Sequence, residues 1–154
     1  MEIRRIQPED INSVVEMWVE FMDDQHQYDD FFERSPEGEI RLKDRLHEYL
    51  RDVNYLLAGA FYGTELAGYV LAQISDHPPF FRRTQFCNLR HLYIKETYRN
   101  QQYGKALVEF TKEWSRQKGI HRIELLVAAK NKNAISFYYD QGFDDFCLLL
   151  AQEI

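Results

Sequence analysis

The chain has 154 residues, the size of one average domain, and at this length roughly 68–70% of the unfolded surface can be buried around a single core. With 45% hydrophobic, 15% aromatic and 29% charged residues, the composition excludes disorder and fibrous repeats. A net charge of -6 opposes the field of a nucleic-acid backbone and favours cationic small molecules or basic peptides. No apolar run reaches the about 18 residues of a membrane span, and the start Met1-Glu2-Ile3-Arg4-Arg5 does not read as a secretion signal. The expectation is a cytoplasmic protein that binds neither nucleic acid nor membrane, with a homodimer left open. Cys87 and Cys147 lie far apart in apolar stretches without metal-ligand spacing, which predicts two buried free thiols and no metal site.

In chain order, Glu2 to Gln7 alternates isoleucine with arginine and stops at Pro8, the pattern of a short edge strand. Ile11, Val14, Val15, Trp18 and Met22 recur at helical spacing from Pro8 to about His26. An aromatic and acidic link, Gln27 to Pro36, leads to a second helix over about Glu37 to Arg51. Tyr55 to Tyr62 and Leu66 to Ile74 are apolar runs of strand length around Gly63-Thr64-Glu65, a tight hairpin. After a turn-rich stretch from Ser75, Gln85 to Ile94 predicts a central strand and about Gln102 to Lys118 an amphipathic helix that Gly119 stops. Ile120 to Val127 reads as a strand, Asn133 to Asp140 as a short helix and Phe143 to Leu150 as a last strand. The order β-α-α-β-β-β-α-β-α-β predicts a mixed α/β (α+β) fold, one sheet with helices on both faces and one domain over 1–154.

The most informative stretch is Ile94 to Leu107, where a strand passes through a polar turn into a helix. The unpaired N–H groups of a helix's first turn face outward with the positive end of its dipole, and Arg99 and Lys105 add charge around them, an arrangement suited to an anion. An ordinary connection with solvated Arg and Lys accounts for this segment equally well. Neither Gly-x4-Gly-Lys-[Ser/Thr] nor Gly-x-Gly-x2-Gly is present, so the turn is not a nucleotide loop of those kinds.

Two segments together carry a resemblance. Arg99-Asn100-Gln101-Gln102-Tyr103-Gly104 matches the first and last positions of Arg/Gln-x2-Gly-x-Gly/Ala. Asn131, Ala134, Phe137, Tyr138, Gly142 and Phe143 match Asn-x2-Ala-x2-Phe-Tyr-x3-Gly-Phe throughout. The chain thereby resembles the GNAT superfamily of acyl-CoA-dependent N-acetyltransferases, most closely between about Leu89 and Phe143. The resemblance implies a mostly antiparallel GNAT-like sheet in which Leu89 to Ile94 splays from Ile123 to Val127, leaving a slot for pantetheine. It implies that acetyl-CoA is held by main-chain groups of Leu92, Tyr93 and Ile94, by the turn and helix start Arg99, Asn100, Gln101, Gln102, Tyr103, Gly104, Lys105 and Ala106, and by Asn131 and Tyr138. Asn131 also suits the cap of the short helix. Gln102 departs from the family's glycine, where a side chain either crowds the pyrophosphate or bonds to it.

The implied chemistry is direct attack of a primary amine on acetyl-CoA in a ternary complex. Tyr138 matches the tyrosine that protonates the departing thiolate, ahead of its neighbour Tyr139. Relatives often carry a carboxylate base where this chain has Arg90 and His91; His91 is the titratable residue best placed to accept the amine's proton, with a water relay through Glu96 or an acidic loop residue as the competing route. The acceptor side is expected from the first two helices and their loops, with Tyr28, Asp29, Asp30, Phe31, Phe32 and Phe80 holding an ammonium by ion pairing and cation–π contact. A CoA-binding sensor or interaction module that kept the fold and lost turnover stays open.

Overall fold

Five strands and four helices follow one another along residues 1–154, all of which the computed structural model describes. The strands are β1 (Glu2–Arg5), β2 (Tyr55–Tyr62), β3 (Glu65–Asp76), β4 (Gln85–Ile94) and β5 (Ile123–Glu124). The helices are α1 (Ile11–His26), α2 (Gly38–Tyr49), α3 (Tyr103–Gln117) and α4 (Lys132–Asp140). One sheet forms in the order β1-β2-β3-β4-β5, antiparallel except for the parallel pair β4 and β5. The two-residue turn Gly63-Thr64 closes the β2–β3 hairpin with Gly63 at φ 60°, a left-handed conformation that suits glycine.

Alternation along the strands divides the buried residues between the two faces. Ala58, Ala60, Ala67 and Ala72 line one face, where small side chains let Leu107, Val108 and Trp114 of α3 approach closely. Leu57, Phe61, Tyr69 and Leu71 line the other and meet Ile11, Val14 and Met17 of α1 and Leu46 of α2. Helix α3 ends in a Schellman-type turn: Gly119 takes φ 73° and the Ile120 amide donates to the Ser115 carbonyl.

One irregularity in β4 sets up the rest. The register runs Leu71 opposite His91 and then Ala72 opposite Leu89, so Arg90 is an extra residue without a partner on β3, a β-bulge. A one-residue insertion flips every side chain beyond it. Cys87 and Leu89 before the bulge face α3, and so do Leu92 and Ile94 after it, while Tyr93 turns to the α1 and α2 face.

Two expected elements differ. The strand expected over Ile120 to Val127 is paired only at Ile123 and Glu124, opposite Cys87 and Asn88, because β4 leaves its neighbour at the bulge. Phe143 to Leu150 forms no strand; Phe146, Leu148, Leu149 and Leu150 are all exposed. Its β-rich composition needs a neighbouring ladder, and a two-residue β5 offers too few backbone groups to seat it. Cys147 lies in this segment and is exposed, not buried as expected, whereas Cys87 is fully buried beneath α3 and its thiol is pushed up to about 12 by that burial. Native protein is therefore expected to react with one equivalent of an aqueous thiol reagent, at Cys147, and to take up a second only in denaturant. Rapid loss of both thiols under native conditions would contradict the core described here.

Candidate functional site

The slot between β4 and β5 follows from the bulge. The Lys95 amide donates to the Ala67 carbonyl of β3. Counting back along the alternating backbone, the N–H and C=O of Ile94 and Leu92 face away from β3, toward the side where β5 no longer pairs. The main chain of Tyr93 points the other way, into the ladder with Tyr69. Of the three residues expected to offer main-chain groups, two thus border the slot and Tyr93 does not.

At the end of β4 the chain turns through Lys95 to Gln102 into α3. Asn100 and Gln102 take φ 60° and 70°, left-handed conformations that cost a non-glycine residue roughly 1–2 kcal/mol each. That is the physical reason a glycine suits position 102. The amides of Asn100, Gln101, Gln102, Tyr103, Gly104 and Lys105 have no acceptor within the protein; Ala106 is the first to bond, to the Gln102 carbonyl. These unpaired donors at the positive end of a 15-residue helix form an anion cradle. Side chains contribute less than expected here. Tyr103 is buried, edge-on to Tyr98, and Gln101 donates to the Thr97 carbonyl. A side chain at Gly104 would place its Cβ 3.2 Å from the Phe137 ring, so this glycine makes room for α4.

Arg99 is held on several sides. Its Nη2 lies 2.6 Å from Asp24 Oδ2 of α1, its Nε donates to the Ile94 carbonyl at 3.1 Å, and its guanidinium sits 5.4 Å from the Tyr93 ring centroid. One side chain thus ties α1 to the mouth of the slot.

Helix α4 packs beside the start of α3. Asn131 caps it, Oδ1 accepting from the Ala134 amide, and Phe137 rests between Gly104 and the sheet. Tyr138 packs edge-on between Phe137 and Phe143, its hydroxyl has no hydrogen-bond partner, and burial pushes its pKa up to about 12. It remains a proton donor at neutral pH. Tyr139, by contrast, is exposed and donates to Asp145.

Across the sheet, a cleft of about 450 Å³ opens among α1, α2, β3 and β4. Trp18, Arg41, Arg45, Tyr49, Arg90 and His91 are in its wall. The His91 Nδ1 lies 3.1 Å from the hydroxyl of the fully buried Tyr69, and the ring stands edge-on to Phe21. Burial first, and then the neighbouring Arg90 charge, bring the His91 pKa down to about 4. The Tyr69 hydroxyl has no other acceptor and burial raises its pKa, so it donates to Nδ1 and leaves the proton of a neutral His91 on Nε2.

None of the six residues expected to bind the acceptor lines this cleft. Asp29 accepts from the Phe31 amide, Asp30 pairs with His26, and Phe31 and Phe80 are exposed. Sequence reasoning missed Asp24, Tyr69, Arg41 and Arg45. Arg41 and Arg45 are one helical turn apart, a spacing that marks a shared face, but nothing in the sequence says which cleft that face borders.

The family model of the acetyltransferase (GNAT) family matches residues 15–143. An L-ornithine N5-acetyltransferase of Arabidopsis thaliana is 31% identical over 81 residues, 53% of this chain and 35% of that enzyme, so the match spans about a third of the relative's length. Among solved structures, a tetramutant of the BH1408 protein from Bacillus halodurans superposes with a TM-score of 0.89 at 18% identity, over 100% of both chains. A predicted acetyltransferase from Clostridium acetobutylicum, solved with acetyl-CoA, gives a TM-score of 0.76 at 16% identity over 99% of this chain and 95% of that one.

The His91 environment has a measurable consequence. Its folded pKa of about 4 lies below the histidine value of 6.5, so between these the unfolded chain takes up a proton that the fold refuses. Stability is present in full above pH 6.5 and is lost as pH falls toward 4, by up to about 3 kcal/mol. His91→Gln is expected to flatten this part of the profile, read as urea midpoints from pH 7 to pH 4. Equal slopes for both proteins would refute the assignment.

Proposed function

The chain belongs to the GNAT acetyltransferase family, and on that premise we propose that it transfers an acetyl group from acetyl-CoA to the primary amine of a small molecule, by direct attack within a ternary complex. The observation that supports this reading is the meeting of two features where β4 passes into α3: the outward main chain of Leu92 and Ile94 and the unpaired amides from Asn100 to Lys105.

Acetyl-CoA supplies the thioester carbon; the neutral amine attacks it, the C–N bond forms as the C–S bond breaks, Tyr138 gives its proton to the departing sulfur and is restored by the proton that the nitrogen sheds, so CoA leaves as the thiol. The amides of Asn100 to Lys105 bind the pyrophosphate without help from any one side chain. Gln102 keeps the left-handed backbone that points them outward, so the missing glycine does not remove the cradle. A slot-facing N–H of β4 stabilises negative charge growing on the thioester oxygen, a contribution typically of about 3 kcal/mol.

His91 does not act as the base. With a pKa of about 4 and Nε2 protonated, it is far too weak to deprotonate an ammonium of pKa about 10. The acceptor therefore attacks as its neutral amine, its ammonium proton already released to bulk solvent before it enters the cleft. Tyr138 supplies the proton for the thiolate.

Acetyl-CoA at a hundredfold excess over its Kd is expected to stabilise the protein by about 2.7 kcal/mol, read as a rise in Tm; no rise at millimolar acetyl-CoA would overturn the proposal. Tyr138→Phe should preserve folding and acetyl-CoA binding while the single-turnover rate falls about 10²-fold, with Tyr139→Phe unchanged. An undiminished rate in Tyr138→Phe would leave the leaving group to be protonated by solvent.

A further inference from the structure

The cleft beside His91 carries a charge opposite to that of the whole chain. Three of the side chains lining it are arginines, and no aspartate or glutamate lines it at all. Arg41 and Arg45 project from successive turns of α2, and Arg90 is the extra residue of the β4 bulge, so cations arrive from both sides of the cleft. Arg90 has only neutral partners, Gln73 Oε1 at 3.3 Å and the Tyr49 hydroxyl at 3.5 Å. Arg41 and Arg45 do have acidic partners, Glu37 at 2.7 Å and Glu48 at 3.0 Å, but both are pairs within the α2 region with exposed members. Such exposed pairs are weak and rearrange readily for a better-placed anion. The guanidinium fork matches the paired oxygens of a carboxylate or phosphate, and three forks bordering one cleft can give such an anion several donors at once.

The aromatic wall fits the same ligand. Trp18 and Tyr49 give an apolar surface for a short carbon skeleton, and a cleft of about 450 Å³ suits a metabolite and is too small for a folded partner.

Building on the transferase reading, we propose that the acceptor amine belongs to a molecule that also carries an anionic group, a carboxylate or a phosphate, which Arg90 grips together with Arg45 and Arg41. The acceptor is thus zwitterionic, and the anion determines selectivity. This departs from the expectation of a simple cation held by the acidic loop Asp29 to Glu33, none of which lines the cleft.

The test compares matched amines in an acetyl-CoA thiol-release assay: 4-aminobutyrate against butylamine for a carboxylate, and glucosamine 6-phosphate against glucosamine for a phosphate. At least one anionic member is expected to exceed its neutral partner tenfold or more in kcat/KM, chiefly through KM, and the pair that shows the gap identifies the anion. Arg90→Gln and Arg45→Gln should bring that ratio toward one without changing the Tm rise produced by acetyl-CoA. In parallel, inorganic phosphate is titrated while following the fluorescence of Trp18, which lines the cleft, with Trp114 buried across the sheet as a constant background. A saturable change that weakens about tenfold in Arg90→Gln supports the anion site independently of turnover. Neutral amines that match or exceed their anionic partners would overturn the anion proposal and leave the transferase intact. Phosphate binding at the arginines without thiol release from any amine would do the reverse, keeping the anion site and removing the activity. A flat phosphate titration together with no anionic preference would overturn this inference outright.

Discussion

A single extra residue in β4 governs how this fold is put to use. Arg90 has no partner on β3, and its insertion does three things at once. It flips the facing of the strand, so that His91 lines the cleft beside α2 instead of sharing the α3 face with Cys87 and Leu89. It bends β4 away from β5, so that parallel pairing stops after Asn88 and the backbone of Leu92 and Ile94 opens to a slot. It also leaves the Arg90 side chain projecting beside His91, with only neutral partners. The slot runs along the edge of β4 that leaves β5, and the cleft lies on its α2 face beside the irregular residue.

The two sides of the site are built by different physics. The slot side depends on main chain: unpaired amides at the start of α3, a strand edge without a neighbour, and left-handed residues at Asn100 and Gln102 that aim the turn. Backbone donors tolerate substitution, which is why Gln102 can stand where the resemblance leads one to expect glycine. The cleft side depends on side chains from α1, α2, β3 and β4, and its character changes with each of them. Arg99 links the two, bonded at once to Asp24 of α1 and to the slot-facing carbonyl of Ile94.

Net charge misleads about this cleft. The chain carries -6 overall, yet the wall beside His91 is cationic. The long-range field governs approach, whereas affinity for a small ligand is set within a few ångströms, where screening and desolvation make the nearest groups dominant.

Much of the architecture was legible along the chain. β2 and β4 have the expected boundaries, α1 to α4 lie within a few residues of theirs, and Gly63 and Gly119 mark the turns they were expected to mark. These features depend on local periodicity and backbone conformation, which neighbouring residues determine. The turn before α3 and the Asn131 cap were legible for the same reason: a helix start is specified by a short segment. Phe143 to Leu150 has a strand's composition and no ladder to join, because pairing depends on what β5 offers and not on the segment itself. His91 has a histidine's ordinary pKa in sequence and a much lower one in the fold, since burial against Phe21 and Tyr69 is not encoded nearby. The cleft is the extreme case: Arg41, Arg45 and Arg90 meet only because α2 packs over a bulged strand about 45 residues further along the chain. Local sequence determined the elements and the backbone anion cradle; packing between distant segments decided the charge of the cleft and the acidity of the group within it.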